Sequence, residues 1–252
     1  DAVIKKQNWK TKLRTTGETL DEFKANELWN DIAESAWHCG DPGIQNHNTI
    51  NKWNTCKNSG EIEASNPCAE FMFLNNSACN LASLNLMRFR KQDGGFDTES
   101  FSKAVDLYIT SQDILVDYAS YPTNEIAWNT HIYRPLGLGF TNLGAYLMSL
   151  GLSYDSEEAR DLAATIASNM TAEAYLQSAK LAEKIGPFKE FKKNNEPMLD
   201  VIEMHKKAAR EIHGRSGLED LVESVVRKWS EAIERGRKYG FRNSQVTLLA
   251  PT

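Results

Sequence analysis

Cysteine is scarce in this sequence, and long apolar runs are absent. The four cysteines, Cys39, Cys56, Cys68 and Cys79, are spread over 252 residues, which is too sparse for a disulfide scaffold. No two of them have the Cys-x-x-Cys spacing typical of structural zinc sites, and no apolar run approaches the roughly 18 residues of a membrane span. These absences predict a protein of the reducing cytoplasm that has no metal site and no membrane contact.

Basic residues are also in the minority. The 29 lysines and arginines are outnumbered by 34 aspartates and glutamates, for a net charge of −5, which argues against binding to nucleic acid or to an anionic membrane. The 41% of hydrophobic residues can form a substantial core, and we expect a single domain over residues 1–252. Because the chain begins at Asp1 rather than methionine and ends directly after a predicted strand, we also expect an excerpt of a longer protein.

Hydrophobic periodicity predicts an α/β fold with helix in excess. The predicted helices cover residues 24–38, 98–120, 139–150, 155–185, 196–213 and 217–239. Extended segments around an Asn-rich turn are predicted within 66–89, and a final strand within 241–250. Residues 44–65 and 188–196 are polar and are interpreted as connections, and Asp155 with Glu158 has the spacing of an N-terminal capping box.

Three functional side chains alternate in the segment Asn66-Pro67-Cys68-Ala69-Glu70. In extended backbone, alternate residues point to one face, so an amide, a thiol and a carboxyl would converge. The carboxylate disfavours a thiolate, and no histidine lies nearby in the sequence to activate one. A neutral thiol with a general base suits hydrogen-atom chemistry on a vicinal diol. From spacing alone, a buried cysteine beside a surface glutamate is the more ordinary interpretation.

Longer stretches resemble the ribonucleotide reductases, especially the adenosylcobalamin-dependent class II enzymes. The segment 66–70, followed by Ser-Ala-Cys-Asn-Leu-Ala-Ser-Leu-Asn-Leu at 77–86, resembles their finger loop. Further segments resemble the family in the same order, at 40–43, 134–139, 186–188 and 242–247. Within this resemblance, the proline before Cys68 and the short spacing from Cys68 to Cys79 favour class II.

The resemblance implies a role for each residue of the finger loop. Cys68 would become a thiyl radical and abstract the ribose 3′ hydrogen, while Glu70 takes the proton of the 3′-hydroxyl. Asn66 would hold the substrate hydroxyls. Cys79 would be one of two reducing cysteines that form a disulfide as the 2′-hydroxyl leaves as water. The implied fold is part of a ten-stranded α/β barrel, with residues 66–70 at its centre.

Substrate, cofactor and partners are implied in the same way. Pro251 and Thr252 resemble the opening of the family's Pro-Thr-Gly phosphate loop, which would bind the substrate. The substrate would be a ribonucleotide, most simply a diphosphate, the cofactor adenosylcobalamin, and the electron source a thioredoxin-like protein. A homodimer is also compatible with the resemblance.

Two alternatives and one departure stay open at this point. The chain could belong to a class I catalytic subunit, which needs a separate metal-bearing radical subunit, or it could be a non-catalytic helical module. The family's second reducing cysteine lies upstream of the finger loop, and neither Cys39 nor Cys56 is expected to replace it. We therefore expect the 252-residue chain to be inactive by itself. The glycines at 137–144 are interpreted as packing positions, and His205 and His213 as surface residues.

Overall fold

The computed structural model describes residues 1–214 and 219–252, most of them in helices. The chain divides into two compact units, residues 1–46 and 47–252. The first unit contains an antiparallel hairpin of β1 (Asn8–Lys12) and β2 (Thr19–Lys24), followed by helix α1 (Ala25–Cys39). Gly40 ends α1 in the left-handed region, at φ 82°, which only glycine adopts without strain. The sequence predicted α1 to within a residue but not the hairpin.

The second unit carries the remaining elements. In chain order these are α2 (His47–Lys52), β3 (Asn80–Asn85), a 3₁₀ turn (Leu86–Phe89), α3 (Thr98–Tyr118), α4 (Asn124–Tyr133), β4 (Leu136–Thr141), α5 (Leu143–Ser149), α6 (Glu157–Ile185), α7 (Phe191–Arg210) and α8 (Glu219–Tyr239). Helix α6 packs against α3 and α8, and α7 packs against α8. Trp229 of α8 is fully buried in this interface beside Tyr175 of α6.

Strands β3 and β4 pair in parallel, with Asn80 opposite Leu136 and Asn85 opposite Thr141. The chain returns to the outer edge of β4 near its end, where the Leu248 N–H donates to the Leu138 carbonyl at 3.0 Å. This approach is close, because a Cβ on Gly139 would lie 2.5 Å from the Leu248 carbonyl oxygen. In place of the strand predicted within 241–250, the structure has a single parallel bridge between Leu138 and Thr247, with hydrogen bonds to β4 from residues 245–248.

A buried ionic network joins distant parts of the second unit. Arg134 lies in the left-handed region, at φ 51°, and its buried guanidinium donates to Asp113 Oδ1 and Asp117 Oδ1, each at 2.7 Å. Asp113 also accepts from Arg242 at 3.1 Å and from the Asn243 amide at 2.8 Å. The guanidinium of Arg134 lowers the pKa of Asp117. Helices α3 and α4 and the segment at residues 242–243 are thereby fixed to one another.

The helix-rich α/β class predicted from periodicity is confirmed, with differences at several element ends. Within residues 1–214 and 219–252 the strands form two two-stranded sheets, not a closed barrel. Helix α7 begins at Phe191, inside the predicted connection, and α6 is capped by Ser156 instead of Asp155, through the Ala159 N–H at 3.2 Å. Helix α4 was not predicted. The predicted start of the last helix at 217–218 lies outside the described residues.

None of the helices within residues 1–214 and 219–252 combines the length and the apolar character needed to cross a bilayer.

Candidate functional site

Residues 66–70 form a tight turn, not the extended segment expected from the sequence. The Ala69 N–H donates to the Asn66 carbonyl at 3.0 Å, and Ala69 lies in the left-handed region, at φ 63°. Asn at the first position and Pro at the second are typical of a β-turn. The predicted extended segment, with its side chains alternating between two faces, is therefore wrong for this loop, because Asn66 and Pro67 favour a turn over extended backbone.

The turn presents its polar side chains in different environments. Asn66 is half-buried, and its Oδ1 accepts the Phe71 N–H at 3.0 Å, which fixes the carboxamide plane. Cys68 is exposed at the tip. Glu70 is half-buried, and its Oε2 is buried without a hydrogen-bond partner among the described residues. Cys68 and Glu70 thus have the reverse of the burial expected for an incidental buried cysteine beside a surface glutamate.

Cys79 lies immediately before β3 and is electrostatically coupled to Glu70. Burial and, to a smaller extent, the negative charge of Glu70 raise the pKa of the Cys79 thiol to about 12. The thiol therefore stays protonated at physiological pH. Glu70 and Cys79, nine positions apart in the sequence, are brought together by the turn and the loop that follows it.

Side chains from two helices hold the backbone on both sides of Cys79. The Ala78 N–H donates to Thr130 Oγ1 of α4 at 3.0 Å. On the other side, Asn80 and Gln112 of α3 exchange two hydrogen bonds between side-chain amide and backbone carbonyl, each at 3.0 Å. These contacts were not predicted, since Thr130 lies in the helix that sequence periodicity did not identify.

Pro251 and Thr252 are exposed at the carboxyl end of the parallel strands. Thr252 Oγ1 is 3.4 Å from Ser83 Oγ of β3, and the Thr141 hydroxyl at the end of β4 donates to the Thr252 carbonyl at 3.4 Å. The carboxyl edge of parallel strands is the usual position of ligands in α/β folds. It lies at the end of β3 opposite to Cys79.

The other two cysteines and the histidine of α7 do not join this cluster. Cys56 is fully buried and its pKa is raised to about 12 by burial, while Cys39 is exposed in the first unit. His205 is half-buried instead of exposed, stacked on Trp229 with ring centroids 5.3 Å apart and planes at 2°. Burial lowers the pKa of His205 to about 4, so this ring is neutral at physiological pH.

Comparison with known proteins places this arrangement in a family. The family model of the ribonucleotide reductase barrel domain matches residues 5–252. The vitamin B12-dependent ribonucleotide reductase of Rhodopirellula baltica is 50% identical over the whole chain, and that of Streptomyces coelicolor is 46% identical over 95% of it. The vitamin B12-dependent ribonucleoside-diphosphate reductase of Mycobacterium tuberculosis is 36% identical over 70% of the chain.

The chain belongs to the ribonucleotide reductase barrel-domain family. It spans 24% of the length of the Rhodopirellula protein and 25% of the Streptomyces protein, about a quarter of the relatives that it matches.

Proposed function

We propose that the protein containing this chain reduces ribonucleotides to 2′-deoxyribonucleotides. One observation carries the proposal. The buried, unpartnered Oε2 of Glu70 lies in the same turn as an exposed thiol, Cys68, and its charge acts on a second, protonated thiol, Cys79. A buried carboxylate oxygen without a donor is unfavourable by about 1–3 kcal/mol, and a substrate hydroxyl would supply the missing hydrogen bond.

Each of the three side chains of the turn has a separate role in the reaction at the ribose. Glu70 Oε2 accepts the proton of the 3′-hydroxyl as a general base. The carboxamide of Asn66, whose Oδ1 is fixed by the Phe71 N–H, donates its free Nδ2 hydrogens to the hydroxyls. Cys68 exchanges a hydrogen atom with the 3′ carbon, for which its exposed position at the tip is suited.

Cys79 supplies reducing equivalents as a neutral thiol. In the overall step two thiols lose two electrons and two hydrogens and become a disulfide. One hydrogen replaces the 2′-hydroxyl on the ribose, and the other leaves with that hydroxyl as water. A thiol with a pKa of about 12 retains its proton until the leaving hydroxyl requires it. Cys56 is too deeply buried to be the second thiol.

The relatives' names support adenosylcobalamin as the cofactor and the class II interpretation over class I. The site fits such a cofactor at the point where the two would meet, because the thiol of Cys68 is exposed on the outer side of its turn. When bound, adenosylcobalamin supplies the radical that activates this thiol.

The binding site would extend along β3 and belong to a larger barrel. Ser83, beside Thr252, is four residues from Cys79, or about 13 Å along a strand, comparable with the length of a nucleotide. Pro251 and Thr252 would therefore meet the phosphates, a diphosphate most simply. Within the described residues, β3 pairs only with β4, so its other edge can accept a strand of the proposed ten-stranded barrel with residues 66–70 inside.

The remaining elements of the proposal concern the whole protein. We propose that residues 1–252 form part of one catalytic domain, that a thioredoxin-like protein reduces the disulfide, and that the enzyme is cytoplasmic. A homodimer fits this proposal.

The test is turnover by the full-length protein. With adenosylcobalamin, a ribonucleoside diphosphate and a dithiol, we expect deoxynucleotide formation that is lost in Cys68→Ser and retained in the control Cys39→Ser. Product that requires a separate metal-bearing subunit instead of adenosylcobalamin would establish the class I alternative. Failure to bind any ribonucleotide would leave the non-catalytic module.

A further inference from the structure

We propose that Thr130 is a positioning residue for the reducing thiol of Cys79, acting through the backbone of Ala78. The proposal rests on the function proposed above, in which Cys79 supplies reducing equivalents. Thr130 does not touch the substrate in this assignment. Its hydroxyl fixes the segment that carries the thiol.

The Thr130 hydroxyl is well placed for this role. Thr130 is 1% exposed in the last turn of α4, and its Oγ1 accepts the Ala78 N–H at 3.0 Å. The preceding residue, Asn129, donates its side-chain amide to the Asn75 carbonyl at 3.1 Å. Two consecutive residues of α4 therefore bind both ends of the irregular segment 75–78, which has no regular secondary structure of its own.

The far side of Cys79 is held by a different helix. Gln112, 3% exposed in α3, exchanges two hydrogen bonds with Asn80. Cys79 is thus the single residue between two attachment points, one on α4 and one on α3. A residue whose two neighbours are both held has little conformational freedom, so the positions of α3 and α4 determine the position of the Cys79 Cα atom.

The two helices are themselves locked together next to these contacts. Asp113, the neighbour of Gln112, binds Arg134, which directly follows α4, through a 2.7 Å ion pair that is almost completely buried. The hydrogen bonds on the two sides of Cys79 and the ionic network are therefore held by the same two helices, α3 and α4. Catalytic groups require placement within about 0.5 Å, and a 1 Å error costs about a hundredfold in rate.

A matched pair of variants in the full-length protein separates positioning from folding. Thr130→Val keeps the size and branching of the side chain but removes the acceptor, whereas Thr130→Ser keeps the acceptor. We expect kcat to fall about tenfold or more in Thr130→Val, with the KM for the nucleotide unchanged, and Thr130→Ser to stay close to wild type. A single-turnover experiment should show slower oxidation of Cys79 in Thr130→Val by the same factor.

Three results would overturn the proposal, and they are distinguishable. If Cys79→Ser still reduces nucleotides with a dithiol, the function proposed for Cys79 is wrong. If Cys79→Ser is inactive but Thr130→Val matches wild type, the positioning role alone is wrong. If Thr130→Val and Thr130→Ser lose kcat to the same extent, and also lose melting temperature to the same extent, the role of Thr130 is in folding only.

Discussion

At the residue scale, the proximity of Glu70 and Cys79 has a measurable consequence for thiol chemistry. The thiolate is the reactive form of cysteine toward alkylating agents. Burial holds the pKa of Cys79 high, and the Glu70 carboxylate adds to this effect. The two contributions differ in how they respond to substitution, because only the second depends on a single neighbouring charge.

We expect Glu70→Gln to lower the pKa of Cys79 without restoring its ordinary value. At fixed alkaline pH, the alkylation rate of Cys79, followed by peptide mapping, should rise several-fold. Cys56 serves as an internal reference, because its raised pKa has no contribution from Glu70. Glu61→Gln is the matched control, an exposed carboxylate in the same loop region. Equal rates for Cys79 in wild type and Glu70→Gln would contradict the coupling.

The sequence proposes candidate residues for the site, but it does not predict their geometry. The motif around Cys68 and the later Cys79 named the thiols and the carboxyl. The turn was predictable in principle, since Asn66-Pro67 has a turn signature. The coupling of Glu70 to Cys79 was not predictable, because it depends on how the chain folds between them. The contact of Thr130 with Ala78 was not predictable, because it depends on how this loop packs against α4.

At the element scale, the contact between β4 and residues 245–248 requires a residue without a Cβ at position 139. We expect Gly139→Ala to lower the free energy of unfolding by about 1–3 kcal/mol, because its Cβ would be 2.5 Å from the Leu248 carbonyl oxygen. Gly144→Ala, in α5 with open space around its Cβ, should change stability by less than about 1 kcal/mol and in the favourable direction. Urea denaturation of both variants tests this, and similar effects would contradict the close approach.

The ionic network between α3 and α4 gives a second prediction at this scale. Asp113→Asn would place an amide donor against the donors of Arg134, Arg242 and Asn243. We expect a loss of roughly 3 kcal/mol in the free energy of unfolding, as for other broken buried ion pairs. Glu99→Gln, which breaks the exposed pair with Lys103 in the same helix, should cost much less, because exposed ion pairs contribute little to stability. A loss no larger than that of the control would show that the network contributes little.

Long helices with a regular hydrophobic period were more predictable from the sequence than short helices. Helix α6 was found almost to the residue because 29 residues of consistent periodicity end at Gly186-Pro187. The ten-residue helix α4 was missed, although Thr123 caps it through the Ile126 N–H at 3.2 Å. The start of α7 was missed because Lys192, Lys193 and their polar neighbours conceal the buried Phe191.

At the scale of the whole molecule, the half-buried His205 makes stability depend on pH. His205 has a pKa of about 4 in the folded protein against an ordinary value near 6.5. The imidazole of His205 is therefore protonated below pH 6.5 in the unfolded chain, but only below about pH 4 in the folded protein. The contribution of neutral His205 to the free energy of unfolding is fully present above pH 6.5. It is lost as the pH falls from 6.5 to 4, and the loss is at most about 3 kcal/mol.

Replacement of His205 by phenylalanine tests this directly. His205→Phe keeps a ring against Trp53 and Trp229 but cannot titrate. The difference in melting temperature between variant and wild type should grow between pH 6.5 and 4 in favour of the variant. Asp106 acts in the opposite direction, since burial and Glu173 raise its pKa to about 6, but it cancels in the comparison. A pH-independent difference would exclude the titration of His205.

The overall architecture was the part least accessible to prediction from local pattern. The helix-rich class follows from periodicity, whereas the pairing of β3 with β4 joins residues separated by a 50-residue stretch and depends on α3 and α4 folding between them. The barrel came from resemblance alone. Strand order is a property of long-range contacts, which no window of sequence contains.

The Asp113 network also bears on how the protein is synthesised. Asn243, which completes the hydrogen bonds of Asp113, follows it by 130 residues. At roughly 5–20 residues per second of translation, Asp113 and Arg134 leave the ribosome on the order of ten seconds before Asn243 and Arg242 arrive. During that interval Asp113 lacks the hydrogen bonds that Arg242 and Asn243 donate to it in the folded protein. The hydrogen bonds on both sides of Cys79 share the support of this network, so the thiol is fixed in place only after Arg242 and Asn243 have been synthesised.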